Sequence, residues 1–384
     1  ENSFCFYRTS ELTNSWEKNM LESRVKLSEN IGSINLLLMG FSKISEKILY
    51  NACILGTINL DQKMKVTIVD ENLESKFDVF KASCQKIDTV ADIELLDYPL
   101  VSNKLYEKLI DSVEKDSFTV CIFASDDFRD SILSYESIVR VLNKSKCLQN
   151  CAMYCQEFDE KNPVTEILKD SIHFFGNIDS VLKIKRVTQQ KEYEGAKQFF
   201  GEYQESFAEI NHSDSAKDID KAWRKNSNYK KQSTLYQYLH QDVKKMLMGK
   251  CIEASSSEDM LQIQKNFGEQ LGEASIKSNE THDLEAAKKK IAIDQVAAVE
   301  RHLITDYFCG LEHKRWNNFE YMNNFIFVEK LSEPRDGKSE PPSSDENLKL
   351  HTCLIDEWED LKKSKAGTVI YDCIPFLNIN TENK

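Results

Sequence analysis

The chain has 384 residues, with 50 Lys and Arg against 63 Asp and Glu, so its formal charge is −13 at neutral pH. Such a length accommodates two or three domains, each with a sizeable core. With 41% hydrophobic and 29% charged residues but only 12 Gly and 6 Pro, it is folded chain rather than linker, and its acidity excludes a general DNA or RNA binder, which needs a basic surface.

The longest apolar stretch, residues 34–41, is broken by Asn35 and Gly40 and is far shorter than the ~20 residues of a spanning helix. No signal-peptide pattern opens the chain. The first residue is Glu1 rather than Met, which suggests an upstream region, such as a membrane or channel segment, ahead of a connector over 1–32. Eleven scattered Cys predict reduced thiols and a cytoplasmic setting, including the cytoplasmic face of a membrane. Cys147, Cys151 and Cys155 would form a stripe on a helix. Residues 152–156 read as a strand instead, and a tetrahedral site prefers CxxC pairs, so no metal is expected.

From 33 to 186, short apolar runs (34–39, 65–70, 93–96, 118–124, 152–156, 172–175) alternate with amphipathic stretches (42–55, 74–85, 102–115, 127–144). This alternation predicts an α/β domain, a Rossmann-like doubly wound parallel sheet covered on both faces. From 187 to 384 the strand signal fades and an all-α region is expected. Its helices are placed at 192–210, 219–226 and 230–248, with a further one carrying Ala292, Val296, Val299, Leu303 and Tyr307 on one face. The Ser-, Pro- and acid-rich stretches 253–259 and 332–346 read as loops.

The first run leads into Gly40-Phe41-Ser42-Lys43-Ile44-Ser45 and then a helix. A dinucleotide site has GxGxxG at this turn, for tightness, for close approach of backbone to pyrophosphate, and for helix packing. Only Gly40 remains, but Ser42 and Ser45 are small and the helix N-terminus still offers amides to an anion. The second run ends in Asp70, where an acid binds ribose hydroxyls, and the fourth in Ser125-Asp126-Asp127, at the same carboxyl edge. Two readings stand for each acid. Asp70 is a ribose ligand or a turn residue; Asp126 or Asp127 caps the next helix while the other faces a ligand.

LLLMGFSKISEKIL, KVTIVDEN and FTVCIFASDD, in this order, resemble the TrkA-N or RCK-type domain of potassium-transport regulators, over about residues 33–176. The resemblance implies binding of NAD or another adenine nucleotide, side-by-side homodimers, and gating of a partner rather than chemistry.

In the helical part, nine Lys or Arg against three Asp between residues 217 and 250 form a local +6 that could receive phosphates. Leu311-Glu312-His313-Lys314-Arg315-Trp316 joins a cation, an aromatic plane and a carboxylate on one helix, suited to a phosphorylated aromatic ligand. The competing reading makes Trp223, Trp316 and Phe319 core residues and Glu312 with Arg315 an intrahelical pair. W-x-x-x-S-N from Trp223 to Asn228, L-E-H-x-R-W from Leu311 to Trp316, H-x-C-L from His351 to Leu354 with Trp358, and Ile374-Pro375 resemble the ryanodine-receptor-type (RyR) domain found behind bacterial TrkA-N domains. The resemblance implies a small-molecule module. The candidate ligand contacts are Trp223, Arg224, Ser227, Asn228, Lys231, Glu312, His313, Arg315, Trp316 and His351. Asn323-Asn324-Phe325 and Gly367-Thr368 depart from the family pattern.

A dehydrogenase would need a proton donor at the nicotinamide end of a bound cofactor, and no Tyr-x-x-x-Lys lies in the first part; no GxSxG nucleophile turn is present either. The expectation is therefore a nucleotide-sensing regulator without catalysis, whose two halves rearrange on binding. A dimerisation scaffold and an NAD-dependent enzyme are the alternatives.

Overall fold

The strands assemble because each apolar run is long enough to span a sheet and is buried on both sides. In the computed structural model, β1 (Asn35–Met39) is buried at every position. It lies between β2 (Met64–Asp70) and β4 (Val120–Phe123), parallel to both, with Leu36 level with Val66 on one side and with Val120 on the other. Central parallel strands covered by helices on both faces read as continuous apolar runs rather than alternations. Burying each Leu of β1 stabilises the fold by about 1.5–3 kcal/mol. The sheet is completed by β3 (Ala91–Asp97) beyond β2, and by β5 (Ala152–Gln156) and β6 (His173–Phe175) beyond β4. The order is β3-β2-β1-β4-β5-β6, all parallel. This is the Rossmann-like order, with the direction of strand progression reversing between β1 and β4.

The intervening helices are α1 (Lys43–Leu55), α2 (Leu73–Ser83), the single turn α3 (Ile87–Val90), α4 (Asn103–Lys115), α5 (Phe128–Lys144) and α6 (Pro163–Leu168). The amphipathic stretches of the sequence coincide with them. Both sheet edges are less buried: β3 alternates with exposed positions and β6 is only three residues long.

The described residues are 34–115, 119–144, 146, 148, 151–157, 163–176, 191–211, 213, 218–251, 257–278, 284–300, 303–331 and 343–378. They fall into two compact units, 34–176 and 191–378. The expected connector 1–32, Cys147, Lys217 and the loop segments 253–256 and 332–342 lie outside them. Among the described residues no helix is long and apolar enough to cross a membrane.

The second unit is mostly helical: α7 (Lys191–Ile210), α8 (Ile219–Lys225), α9 (Asn228–Leu239), α10 (Gln241–Cys251), α11 (Ser257–Ser278), α12 (Leu284–Glu300), α13 (Leu303–Met322), α14 (Trp358–Ser364), a 3-10 turn (Ala366–Thr368) and α15 (Val369–Leu377). Its small sheet joins β7 (Ile326–Phe327), β9 (Leu350–His351) and β8 (Ser344–Asp345), in that order. From Tyr307 to Met322 α13 is buried at all but two positions, Lys314 and Trp316, as befits a helix surrounded by others. Phe308 stacks on Phe376 of α15, which meets Phe267 of α11 edge-on. Phe319 packs against Tyr229 and Tyr236 of α9.

Four sequence expectations are corrected here. The helix expected at 230–248 is two, parted at His240, whose ψ of −8° lies off the regular helical value. The face running from Ala292 to Tyr307 belongs to two elements, α12 and α13. Helix α11 was missed, and it takes in residues 257–259, read as loop. Ser344 and Asp345, also read as loop, pair with β9.

Pro375 sits inside α15 and cannot supply an amide to the Tyr371 carbonyl four residues earlier. The Tyr203 hydroxyl donates to that carbonyl instead, at 3.4 Å.

Candidate functional site

At the reversal point the ends of β1, β2 and β4 come level. The Gly40 amide donates to the Val69 carbonyl at 2.8 Å and the Ala124 amide to the Met39 carbonyl at 2.9 Å. Gly40 has φ +93°, and a Cβ there would lie 2.6 Å from the backbone of Ser125. Glycine is thus required twice, by its dihedral and by the approach of β4. Of the six residues singled out in the first unit, Gly40, Ser42, Ser45, Asp70, Ser125 and Asp126 all lie at this carboxyl edge, where open α/β sheets receive ligands.

The turn is tied by its own side chains. Ser42 caps α1, its hydroxyl accepting from the Ser45 amide at 3.3 Å. Ser45 is fully buried, and its hydroxyl donates towards the Gly40 carbonyl at 2.6 Å and the Ala124 carbonyl at 3.2 Å. Ser42 stands at the place of the second glycine of a GxGxxG turn, where a pyrophosphate would meet bare backbone. Phe41 points into an aromatic cluster, 5.9 Å from Phe77 and 5.8 Å from Phe80 between ring centres.

Asp70 closes the turn from the second strand. One carboxylate oxygen accepts from the Phe41 amide at 2.8 Å and from Lys76 at 2.6 Å; the other accepts from the Glu71 amide at 2.8 Å. A carboxylate has about four acceptor positions, so one stays open for a hydroxyl, on a side chain that is 15% exposed. The ambiguity at β4 resolves in favour of Asp127 as the cap: its carboxylate accepts from the Arg129 amide at 2.8 Å, and the Ser125 hydroxyl accepts from the Asp127 amide at 3.2 Å. Asp126 is exposed and does not share this capping role.

The helical unit places its candidates differently. Trp223 is buried between Tyr193 and Phe200 and is a core residue. Glu312 and Arg315 are 1% and 0% exposed. The Arg315 guanidinium donates to Glu312 at 2.8 and 3.0 Å, and Lys244, equally buried, donates to the other Glu312 oxygen. Burial works against the Glu312 charge, but Arg315 and Lys244 overcome it and hold the carboxyl down at about 2. Lys244, counted among surface cations in the sequence, is an interior partner whose pKa burial lowers.

His313 donates from Nε2 to the Ile355 carbonyl at 2.7 Å, and its Nδ1 lies 3.1 Å from an Asp372 carboxyl oxygen. Burial raises the Asp372 pKa while the His313 charge lowers it, so the two groups hold a proton in common. Burial opposes the His313 charge, yet Asp372 and the Ile355 carbonyl raise its pKa. His351 is the opposite case: its Nδ1 accepts the Cys353 amide at 3.0 Å, which requires a neutral ring, and burial followed by the His313 charge lowers its pKa to about 4. Its ring meets Trp316 edge-on at 4.7 Å.

Ser227 caps α9 through the Lys230 amide at 3.2 Å and donates to Glu346 at 3.1 Å, while Asn228 is exposed. Lys231 reaches the carbonyl of Arg224 at 3.5 Å. The structure therefore joins Glu312 with Arg315 and Trp316 with His351, but not Trp223 with either pair. The sequence reading missed Tyr229, whose hydroxyl donates to buried Glu320, and Asp372, the partner of His313. Neither stands in a recognisable motif; only their spatial neighbours mark them.

Among the described residues no group of His, Cys, Asp and Glu is arranged to hold a metal. No protein-family model, curated protein or solved structure matches the chain, so its likeness to other proteins rests on the Rossmann-like strand order of the first unit.

Proposed function

We propose that the protein is a nucleotide-sensing regulator, whose first unit binds an adenine nucleotide or an NAD-derived molecule at the strand-reversal edge and thereby switches a partner or an upstream membrane effector. The observation that carries this reading is the meeting of Gly40, Asp70, Ser125 and Asp126 at that edge. Asp70 keeps an acceptor position for a ribose hydroxyl, and the first turn of α1, apart from the Ser45 amide that Ser42 takes, offers amides to a phosphate. The resemblance to TrkA-N and RCK-type domains followed by a RyR-type region supports the same reading, including a homodimer. A sensor needs only a different affinity for two states, not chemistry on its ligand.

A thermal-shift panel of NAD, NADP, ADP-ribose, ATP and cyclic nucleotides tests it. At a ligand concentration 100 times its Kd the folded state gains about 2.7 kcal/mol, which raises Tm by roughly 5–10 °C for a domain of this size. At least one member is expected to give such a shift, and Asp70→Ala to remove it. No shift from any member would favour the second reading, a dimerisation scaffold, which draws on the turn's being held by Ser42, Ser45 and Asp70 without a ligand.

A further inference from the structure

The cations that the sequence concentrates between 217 and 250 do not converge on one site: Lys244 is interior, and Arg224, Lys225 and Lys230 are spread over the exposed sides of α8 and α9. A different set does converge. The α12 helix and the turn from α14 into the 3-10 helix border an open cavity of about 760 Å³, within the range of small-molecule sites. Its floor is aliphatic, formed by Ala292, Ile293 and Val296 of α12, and Ile293 is 54% exposed. Five lysines from two distant stretches line it, Lys288 and Lys289 on α12 and Lys362, Lys363 and Lys365 on the other wall, of which Lys362 is buried.

These lysines are not equivalent. Lys362 is held by Asp306 at 3.1 Å and Glu359 at 2.7 Å, and Lys363 stands 3.8 Å from Asp360; both also suit the C-terminus of α14. Neither explanation reaches Lys289, which comes from another helix; Lys365 is the C-cap residue of α14, so the helix end suits its charge as well, but no carboxylate of the described residues is paired with it. No ion pair of the described residues engages either. No aromatic side chain lines the cavity among the described residues, so a nucleobase would find no ring to stack on. An aliphatic floor beneath a cationic rim matches a ligand with an anionic head and an aliphatic body, and lysine ammonium groups serve phosphates as point charges.

We propose that this cavity is a binding site for a soluble phosphate ester with an aliphatic body, its phosphate between Lys289 and Lys365 and its chain over Ile293 and Val296. The site lies wholly in the second unit and is independent of the nucleotide reading of the first.

Titration calorimetry of the full chain with n-hexyl phosphate tests the assignment, with inorganic phosphate and n-hexanol representing the two halves of the ligand. Hexyl phosphate is expected to bind more tightly than either half. Lys289→Glu and Lys365→Glu should each weaken it about tenfold or more, and Ile293→Ser should reduce it towards the affinity of inorganic phosphate. Asp70→Ala should leave it unchanged while removing any nucleotide binding, so the two sites fail or succeed separately. The assignment is overturned if hexyl phosphate binds no better than inorganic phosphate, or if both charge reversals leave its affinity intact. Binding only to phosphatidylglycerol-containing vesicles, with none to hexyl phosphate, would also overturn it, in favour of a lipid surface.

Discussion

Glu320 is the residue whose chemistry departs furthest from its sequence context. It is fully buried on α13, accepts the Tyr229 hydroxyl, and leaves its second oxygen without a partner among the described residues. Burial drives its pKa up to about 8, against the Tyr229 hydroxyl and the Arg315 and Lys349 cations, which favour the charged form. The folded state therefore keeps a proton that the unfolded state, at 4.5, releases. Its contribution to stability is complete below pH 4.5 and is lost as pH rises through 8. Glu320→Gln keeps the acceptor for Tyr229 and removes the titration, so the variant should gain roughly 2–4 kcal/mol on the wild type between pH 4.5 and 8. Urea unfolding across that range measures the gain, and parallel curves for the two proteins would refute it. His351 contributes with the opposite sign in both proteins: lowered to about 4, it strengthens folding as pH rises from 4 to 6.5, and it cancels in the difference.

At the scale of the element, the turn from β1 into α1 is where local chemistry and sheet topology constrain the same residue. Gly40→Ala must bring its Cβ into the Ser125 backbone and adopt φ +93°, and neither neighbour is a flexible side-chain end. Stability should fall by about 2 kcal/mol or more, measured by chemical denaturation; an unchanged midpoint would show that β4 does not approach the turn this closely. This part of the molecule was legible in the sequence because strand and helix periods alternate cleanly from Ile34 to Phe175, and because Gly40 and Asp70 end strands, where position implies function. The helical part was less legible. Helix α11 carries Met260, Ile263, Phe267 and Leu271 at helical spacing, but the Ser- and acid-rich stretch at its start reads as a loop and obscures that stripe, and the break at His240 has no Pro or Gly to signal it. The Lys residues of the 760 Å³ cavity are over 70 positions apart from one wall to the other, and a scan for linear charge density selects 217–250 instead. Glu312 and Arg315, named as candidate ligand contacts with an intrahelical pair as the competing reading, do pair with each other, and their burial follows from neighbours that no local pattern names.

At the scale of the whole molecule, the formal charge of −13 resolves into different local environments. The Rossmann-like unit gathers a carboxylate, small residues and helix amides at one edge, and the helical unit keeps Glu312, Arg315 and Lys244 inside while presenting lysines around a cavity. The strand-reversal edge is the proposed nucleotide site. Hydrogen exchange measured by mass spectrometry on the full chain, with and without the nucleotide that gives the largest thermal shift, tests it most directly. Slowed exchange is expected in peptides covering Met39–Glu46, Val69–Asn72 and Ala124–Phe128, with loss of that protection in Asp70→Ala. Protection confined to peptides of α13, with the edge unchanged, would contradict it.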